Sequence, residues 1–317
     1  MDKLLSIIVL AYKSGDYLFE TVQSILEQDY PAIEIVVCDD ATPGFDKTGL
    51  ESFLAEKKQN NIASVTIITN DNNLGTVKNL NNGIRLAKGD YIKIIAGDDQ
   101  LAAPDVCSRQ IAYLEKHADT VAVAGNIEEC DAEMTPISKS GFLLKDDTDS
   151  LFHNKNELLR YICRDNTKAL ATQVLCFRKD FFGKHGLYDE KYLLIEDLPM
   201  AVRIVESGEK IGYINYPCAK HRGQTGVSTS TQAFDPHRLR YYEDLERYYV
   251  ALSPLSNILG RNFVHMRHRV CQFRIEYCNL HSAPFYKKAG KALEYSIPLA
   301  YYFFTNLRRA CAYLTTH

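Results

Sequence analysis

The amino-acid sequence predicts an α/β fold, a mainly parallel sheet flanked by helices, followed by a C-terminal helical region. Runs of β-branched residues alternate with helical patterns through residues 1–125, which is typical of strand–helix–strand units. Continuous apolar runs such as Ile35-Val36-Val37 are typical of strands that are buried on both faces. Beyond about residue 235, Arg, Tyr and Leu recur at helical spacing. We therefore expect a sheet domain over residues 1–228 and a helical region over residues 229–317.

Hydrophobic periodicity assigns the individual elements in chain order. It predicts strands over residues 5–11, 33–38, 65–68 and 91–95, and helices over residues 17–28, 50–58, 77–87 and from residue 104 onward. The pattern loosens between residues 126 and 225, where strands over 174–177 and 211–214 and a helix over 196–207 are still predicted. The C-terminal region is predicted to form three or four helices, separated at Pro254, Pro284 and Pro298.

Composition favours a globular protein and argues against several other classes. The chain has 317 residues, of which 46% are hydrophobic, so it can bury a sizeable core. Its formal charge of −3 gives no overall attraction to nucleic acid. Nine cysteines occur without a Cys-x-x-Cys pair, which argues against a zinc site or a disulfide framework. They are better interpreted as small core residues in a reducing cytoplasm.

Neither a leader nor a membrane span is expected. The apolar run over residues 4–10 is short for a signal peptide, follows an acidic residue and lacks a small-residue cleavage site. No stretch reaches the roughly 18 uninterrupted apolar residues of a membrane-spanning helix. We expect a cytoplasmic protein that is soluble or held peripherally at the inner face of the cell membrane.

Pairs of acidic residues follow two of the predicted strands, and a third pair lies further along the chain. Asp39-Asp40 ends the second strand, Asp98-Asp99 follows the fourth strand, and Glu196-Asp197 begins a predicted helix. The carboxyl ends of parallel strands meet at one edge of a sheet, where open α/β sheets bind ligands, so we expect the pairs to share a cleft. Carboxylates are ligands that Mg²⁺ and Mn²⁺ prefer. The alternative is that each pair only serves a turn.

The end of the first strand offers a surface for a nucleotide. At the shared edge, Tyr12 would stack on a base and Asp39 would accept a hydrogen bond from the base or the ribose. The alternative is that Tyr12 packs in the core and Asp39 caps the following turn. A Gly-x-Gly-x-x-Gly fingerprint and a Gly-Lys-Ser/Thr loop are both missing, which argues against a dinucleotide oxidoreductase and a P-loop nucleotidase. The charge of bound phosphates would then be met by a metal ion and basic side chains.

An Asn-rich segment over residues 70–79 joins the third strand to its helix, with Thr76 as the expected N-cap. Lys78 then lies in the first helical turn, where the positive end of the helix dipole disfavours a cation. A bound anion such as a diphosphate would offset that cost. The alternative is a solvated lysine.

In this order and spacing, the motifs resemble those of glycosyltransferase family 2, whose members have the Rossmann-like GT-A fold. The resemblance covers roughly residues 3–225. It is carried by SIIVLAY at 6–12, EIVVCDDAT at 34–42, NLG at 73–75, KGDYI at 88–92, GDD at 97–99, GLYDE at 186–190 and EDL at 196–198. It implies an enzyme whose donor is a nucleotide-diphosphate sugar, with a UDP-sugar as the first candidate.

The resemblance also assigns donor-binding residues. Asp39 matches the acid that contacts the base, and Ala11 and Tyr12 would line the same pocket. Asp98 matches the second acid of the family's Asp-x-Asp motif and would hold Mn²⁺ or Mg²⁺ as the cofactor, with Asp99 beside it as a further donor-binding residue.

Two positions depart from the family pattern. Ala96 replaces the first acid of the Asp-x-Asp motif, although one carboxylate can still hold Mg²⁺ together with diphosphate oxygens and water. Leu80 stands where the family commonly has arginine, so Lys78 would take over the contact with phosphate.

Asp197 resembles the family's catalytic base, and Glu196 would be its orienting neighbour. Sugar transfer with inversion needs a carboxylate that removes the proton of the acceptor hydroxyl while that hydroxyl attacks the anomeric carbon. At the start of a helix, Asp197 would be kept ionised by the positive end of the dipole. The alternative is that Asp197 only caps that helix.

Residues 220–228 resemble the family's loop that closes over the diphosphate, where His221 or Arg222 would supply a cation. The alternative is a linker into the helical region. The Gln-x-x-Arg-Trp motif of processive polymerases is missing, and the chain contains no tryptophan. Transfer of a single sugar is therefore expected.

The C-terminal region combines arginines with aromatic residues. These are Arg261, Arg267, Arg269, Arg274, the segment 295–304 and Arg308-Arg309. Such a composition suits a helix lying in an anionic membrane interface. The alternative is packing against the catalytic domain or a partner subunit, as in a homo-oligomer. Membrane contact would suit a glycan or lipid-linked glycan acceptor, as in bacterial surface polysaccharide or glycolipid synthesis.

Two functions are compatible with these sequence features. The leading one is metal-dependent, inverting transfer of one sugar from a nucleotide-diphosphate sugar to a hydroxyl. The other is a catalytically impaired GT-A protein that serves as a nucleotide-sugar-binding or scaffolding module, which Ala96 and Leu80 favour. A nucleotidyltransferase would need a basic glycine-rich loop after the first strand, and the chain lacks one.

Overall fold

The computed structural model describes residues 3–140, 151–152, 154–165, 168–223, 236–280 and 285–303, and these form the α/β fold that the sequence predicts. The strands are β1 (Leu5–Ala11), β2 (Ile33–Asp39), β3 (Ile62–Thr69), β4 (Tyr91–Ala96), β5 (Gln100–Leu101), β6 (Thr120–Cys130), β7 (Pro136–Ser140), β8 (Cys176–Arg178) and β9 (Lys210–Arg222). The α-helices are α1 (Tyr17–Leu26), α2 (Lys47–Lys57), α3 (Thr76–Leu86), α4 (Val106–Lys116), α5 (Lys155–Arg160), α6 (Asp180–His185), α7 (Asp197–Glu206), α8 (Pro236–Ala251), α9 (Ser256–Leu259), α10 (Arg261–Asn279) and α11 (Phe285–Glu294). Helical structure resumes over residues 296–303.

A single sheet contains these strands in the order β3-β2-β1-β4-β8-β6-β9-β5, with β7 paired to β6. The first four strands of that order run parallel, as predicted. β8 is antiparallel to both β4 and β6, and β9 is parallel to β6, so the sheet as a whole is mixed. The register places Leu10 between Cys38 and Ala96, and the carboxyl ends of β1, β2 and β4 therefore meet at one edge.

Side chains of the central strands point alternately into two cores. Ile8 of β1 packs in a core that includes Leu80 of α3 and Tyr248 of α8, whereas Ile7 and Val9 pack in a core with α1, α2 and α4. Burial on both faces explains why apolar residues dominate these strands. Because Tyr248 and Ile8 share a core, the C-terminal helices cover one face of the sheet.

The strands beyond β4 differ most from the sequence prediction. The strand predicted over 211–214 extends as β9 through Arg222, and the one predicted over 174–177 begins as a 3₁₀ turn at Thr172–Val174 before β8. β6 was not predicted, because Gly125 and Asn126 lie at its centre and both residue types are depleted in strands. Its parallel pairing with β9 outweighs that local preference.

Arginines of the C-terminal region pack within the protein. Arg267 and Arg274 lie 4.6 and 4.9 Å from the centre of the Tyr302 ring. Arg269 lies 4.4 Å from the centre of the Tyr295 ring. Such cation–π contacts hold the last helical segment against α10. Each of these three arginines therefore packs against an aromatic ring of its own chain, and contact of this region with a membrane stays a prediction.

Eight of the cysteines lie in the described part of the chain, all as free thiols, and seven of them are buried, which confirms their interpretation as core residues. Within the same residues, no helix combines the length and the apolar character needed to cross a bilayer. Residues 224–235 and 304–317 lie outside the described residues, and with them part of the predicted diphosphate loop and the last arginines.

A buried carboxylate organises the amino-terminal edge of the sheet. Glu34 of β2 is fully buried and accepts hydrogen bonds from the Ser6 hydroxyl at 2.5 Å and from the Lys88 N–H at 2.7 Å. The Ser6 hydroxyl in turn accepts the Gly89 N–H at 2.8 Å. These bonds fix the turn that returns the chain from α3 to β4. Ser64 lies further away, 3.4 Å from the second oxygen of Glu34.

Replacing Ser6 with alanine should lower the free energy of unfolding by about 1–3 kcal/mol, because the Gly89 N–H loses its acceptor and Glu34 loses a donor in a buried site. Urea unfolding followed by circular dichroism measures the change. Ser64→Ala is the matched control, since it removes a long hydrogen bond at a half-buried position and should cost no more than about 0.5 kcal/mol. Equal costs for the two variants would contradict this account.

Candidate active site

A cavity of about 500 Å³ opens at the edge where β1, β2 and β4 end. It is lined by Leu10, Ala11, Tyr12, Lys13, Ser14, Tyr17, Asp40, Asn73, Gly75, Thr76, Asn79, Asp98 and Leu194. The structure thus brings together Ala11, Tyr12 and Asp98, three of the residues that the sequence analysis selected. The first two acid pairs each contribute one member to this cavity.

The backbone turns sharply where β1 and β2 end. Lys13 and Ala41 have φ angles of 55° and 60°, in the left-handed region that non-glycine residues rarely adopt and that often marks functional sites. The Lys13 N–H donates to the Thr42 hydroxyl over 2.8 Å, which ties the two turns together. The Lys13 ammonium lies 5.0 Å from the centre of the Tyr12 ring. Lys13 was not selected from the sequence, although it directly follows the selected Tyr12.

The two acids that end β2 have different surroundings. Asp39 is fully buried, and its carboxylate accepts the Thr42 N–H at 3.1 and 3.3 Å, the contact expected of a turn cap. It is not among the residues that line the cavity. Asp40 does line it, and its two oxygens accept the N–H groups of Leu74 and Gly75, each over 2.8 Å. Contact of Asp39 with a base stays a prediction, whereas Asp40 was missed despite the Asn-Leu-Gly segment that it binds.

α3 begins at the cavity. Gly75 occupies the N-cap position with a φ angle of 84°, and Thr76 is the first helical residue, so the prediction that Thr76 caps the helix is wrong. A β-carbon at position 75 would lie 2.4 Å from a methyl carbon of Leu193, so glycine allows the loop before α7 to approach. Lys78 is exposed and does not line the cavity. Leu80 is fully buried in the core.

Asp98 and Asp99 point in different directions. Asp98 lines the cavity, whereas the buried carboxylate of Asp99 accepts the Arg222 N–H at 2.9 Å and lies 3.2 Å from Nδ1 of His221. Burial raises the pKa of Asp99, and the hydrogen bond to Asp99 raises the pKa of His221. The Asp99 carboxylate thus anchors β9, and its contact with a donor stays a prediction.

Arg222 is buried, in contrast to the cation expected over a diphosphate. Its guanidinium donates to the carbonyl oxygen of Asp98 at 3.0 Å and to a carboxylate oxygen of Glu20 at 2.5 Å. It also lies 4.1 Å from the centre of the Tyr17 ring. With Glu20 neutralising its charge, Arg222 holds the backbone of Asp98 in place and presents no free cation to the cavity. His221 is one-fifth exposed and is the more accessible of the two expected cations.

Glu196 and Asp197 form a half-buried pair at the N-terminus of α7, with Glu196 at the N-cap and Asp197 as the first helical residue. Burial raises the pKa of Glu196 to about 8, and the neighbouring charge of Asp197 raises it as well. Burial also raises the pKa of Asp197, although the Leu198 N–H, which donates to it over 2.7 Å, lowers it. Desolvation is the largest influence on the pKa of Asp197, and the ionised state expected for it at the helix start stays a prediction.

Tyrosines from two parts of the chain surround this acid pair. Burial raises the pKa of the Tyr188, Tyr241 and Tyr248 phenols, and the charge of Asp197 raises each further. Tyr241 and Tyr248 belong to α8, so the C-terminal helices contribute part of the wall around the acid pair. Neither Glu196 nor Asp197 lines the 500 Å³ cavity, but Leu194, two residues before Glu196, does.

The described residues contain no group of three or more His, Cys, Asp or Glu side chains placed to hold a metal ion. The cavity does contain the Asp98 carboxylate, a hard oxygen ligand of the kind that Mn²⁺ and Mg²⁺ prefer. Mg²⁺ commonly binds one or two protein carboxylates and completes its shell with substrate phosphates and water. The residues present therefore fit an ion that arrives with a diphosphate.

Two glycosyltransferases illustrate the relationship of this chain to known proteins. An uncharacterised glycosyltransferase of Haemophilus influenzae is 30% identical over 197 residues, which are 60% of this chain and 58% of that protein. WfaP of Escherichia coli, a UDP-Glc:alpha-D-GlcNAc-diphosphoundecaprenol beta-1,3-glucosyltransferase, is 31% identical over 113 residues, 36% of this chain and 42% of that protein. The matched segments thus span about half the length of these relatives.

A solved structure and a family profile establish the fold and the family. The mannosyltransferase PcManGT of Pyrobaculum calidifontis, in complex with GDP-Man and Mn²⁺, superposes with a TM-score of 0.59 at 16% identity, covering 98% of this chain and 84% of that chain. The profile of the glycosyl transferase family 2 matches residues 6–184, more than half of the sequence. The chain therefore belongs to glycosyltransferase family 2 and has the GT-A fold.

Proposed function

We propose that this protein transfers a single sugar, with inversion, from a nucleotide-diphosphate sugar to a hydroxyl of a glycan or lipid-linked glycan. The observation that carries the proposal is the placement of Leu194. It lines the cavity that contains Asp98, and the chain reaches the Glu196-Asp197 pair two residues later. A donor held by the cavity would thus lie beside a carboxylate able to accept a proton.

The donor would bind along the carboxyl edge of the sheet. Tyr12 and Ala11 would contact the base, and a UDP-sugar is the first candidate because WfaP is named for UDP-Glc. The diphosphate would lie against Thr76 and the N-terminus of α3, where the helix dipole favours anions. Lys13 would add a cation at the same cavity. These two groups take the place assigned from the sequence to Lys78, which is exposed outside the cavity.

Asp98 would hold Mn²⁺ or Mg²⁺ together with diphosphate oxygens and water. The ion, when bound, offsets the negative charge that develops on the departing nucleoside diphosphate. PcManGT is in complex with Mn²⁺, which supports the assignment of a divalent ion to this fold. Arg222 supports Asp98 indirectly, because it binds the carbonyl oxygen of that residue.

Asp197 would act as the general base. The acceptor oxygen forms a bond to the anomeric carbon, the bond from that carbon to the diphosphate oxygen breaks, and Asp197 takes the proton of the acceptor hydroxyl. The raised pKa of Asp197 suits this role, because a stronger base removes the proton more readily at neutral pH. Glu196, with a pKa of about 8, would remain protonated during the reaction.

The alternative of a catalytically impaired scaffold is less well supported. It rests on Ala96, but Asp98 still lines the cavity and the acid pair at 196 and 197 is intact. It also rests on Leu80, which is packed in the core, while the N-terminus of α3 still lies at the cavity through Gly75 and Thr76.

The proposal extends to a lipid-linked acceptor and a peripheral location at the membrane. The name of WfaP specifies an acceptor with a diphosphoundecaprenol lipid, which suggests a lipid-linked acceptor at the inner face of the cell membrane. Leu293, near the end of α11, and Ile297, in the following helical segment, are 76% and 72% exposed, and Phe303 is 61% exposed. With Lys287, which is also exposed on α11, these side chains would insert into an anionic membrane surface while the protein remains cytoplasmic and peripheral.

Replacing each acid by its amide should distinguish the role of Asp197 from that of Glu196. Asp197→Asn should lower kcat by about 10²–10⁴-fold, because the base is lost, while donor affinity is kept. Glu196→Gln should retain kcat within about threefold at pH 7, because Glu196 is already neutral there. Steady-state assays of nucleoside diphosphate release measure both. Full activity of Asp197→Asn would remove it as the base.

The pH profile of the wild-type enzyme should carry the signature of the buried pair. The acid limb of kcat should lie above pH 4, the usual range of a carboxyl group, because burial raises the pKa of Asp197. A second inflection near pH 8 should mark ionisation of Glu196 and disappear in Glu196→Gln. An identical profile for this variant and the wild type would show that Glu196 does not titrate there.

Asp98→Ala should abolish the dependence of donor binding on the metal ion. Calorimetric titration with UDP should show at least about tenfold weaker binding in Mn²⁺ for the variant, since the ion loses its protein ligand. In EDTA the variant and the wild type should bind UDP equally. Asp99→Asn is the matched control, because its carboxylate faces His221 and not the cavity. An equal response of both variants to Mn²⁺ would remove Asp98 as the ligand.

Charge placed on the exposed apolar side chains should release the protein from membranes. In flotation with phosphatidylglycerol vesicles, Leu293→Glu and Ile297→Glu should each weaken binding about tenfold, because each loses the burial of one aliphatic side chain. Val250→Glu, at a 52% exposed position on α8, is the control and should bind normally. Unchanged flotation together with a smaller mass in solution would instead identify this surface as an interface between copies.

A further inference from the structure

The loop that connects the donor cavity to the acid pair is held from outside the sheet domain. Residues 193–195 lie between the end of α6 and the start of α7. Oδ2 of Asp244 accepts the N–H groups of Leu193, Leu194 and Ile195 at 2.8, 2.6 and 3.3 Å. Asp244 belongs to α8, about 50 residues further along the chain, and its side chain is 1% exposed.

The three N–H groups that Asp244 binds are consecutive, so their common orientation depends on a single oxygen atom of Asp244. The other carboxylate oxygen of Asp244 accepts a hydrogen bond from the Arg247 guanidinium at 3.0 Å. Removing such donors from a buried carboxylate strongly destabilises the folded protein. Hydrogen bonds to a charged acceptor are about twice as strong as those between neutral groups. The loop conformation and the charge of Asp244 are therefore mutually dependent.

The opposite side of the same loop contacts the donor cavity. The Leu193 carbonyl oxygen accepts the Val77 N–H at 3.3 Å, and Leu193 packs against Gly75 at the start of α3. Leu194 lines the cavity, and Glu196 follows at the N-cap of α7. Asp244 thus binds Leu194, which lines the cavity, and Ile195, which directly precedes the acid pair.

We propose that Asp244 is a positioning residue for sugar transfer: through residues 193–195 it sets the position of the Asp197 carboxylate relative to a donor in the cavity. The proposal rests on the function proposed above for Asp197. It assigns the C-terminal helices a catalytic contribution, because without α8 the N–H groups of this loop lose their acceptor. A misplacement of about 1 Å at the reacting atoms can cost about 10²-fold in rate.

Three variants test this role by steady-state kinetics and by hydrogen exchange read by mass spectrometry. Asp244→Ala should lower kcat about 10²-fold with the donor KM changed less than about threefold, and amide exchange over residues 193–198 should become faster. Asp244→Asn keeps one acceptor oxygen and should lose less of kcat. Glu246→Gln is the matched control, because Glu246 lies on the same helix but binds His268 and Gln272 of α10. It should leave kcat and exchange over residues 193–198 unchanged.

The readouts separate the proposal from the function on which it rests. Unchanged exchange over residues 193–198 in Asp244→Ala would overturn the proposal, whatever the activity. Faster exchange with unchanged kcat would overturn it too, since the loop would then move without consequence for transfer. Equal losses in Asp244→Ala and Glu246→Gln would reduce Asp244 to a packing residue of α8. A wild-type protein that releases no nucleoside diphosphate from any donor, yet shows the local change in exchange, would reject the proposed function and keep the anchoring of the loop.

Discussion

Buried carboxylates that accept backbone N–H groups determine the geometry of this site. Asp40 binds the start of α3, Asp99 binds the last residue of β9, and Asp244 binds the loop before α7. Each of these side chains is at most 3% exposed. Because a charge without partners is costly in such surroundings, each carboxylate enforces one conformation of the loop that satisfies it. The cavity and the acid pair are consequently held by side chains that need not touch a substrate.

This constraint explains why the acidic residues occur in adjacent pairs with divided roles. The two members of each of the first two pairs point in different directions. At the end of β2, Asp39 is buried against its own turn and Asp40 lines the cavity. After β4 the order is reversed, so that Asp98 lines the cavity and Asp99 binds β9. The sequence identifies the pairs and the strands that carry them, but the choice of member depends on loop conformations that only the folded neighbours set.

Features set by local sequence can be predicted from the sequence, whereas features set by contacts between distant residues cannot. β1, β2 and β4 are predictable because each is rich in apolar residues and buried on both faces, whereas β3 lies at the edge of the sheet and is mostly half-buried. The parallel order of these strands places the cavity at one edge. β6 is not predictable, since Gly125 and Asn126 disfavour a strand and its partner β9 lies about 90 residues further along the chain. The contacts of Arg222 with Glu20, and of Asp244 with residues 193–195, join positions about 200 and 50 residues apart. The sequence around each of these residues gives no indication of its distant partner.

The balance of charge at the cavity bears on the missing first acid of the metal motif. Among the described residues that line the cavity, Lys13 is the single lysine or arginine. Arg222 is neutralised by Glu20, and Lys78 lies outside the cavity. A diphosphate would therefore meet one cation and a helix N-terminus, which offsets only part of its charge. With alanine at position 96 a divalent ion would face one carboxylate less, so the diphosphate itself would provide more of its ligands and the ion would bind tightly only together with the donor.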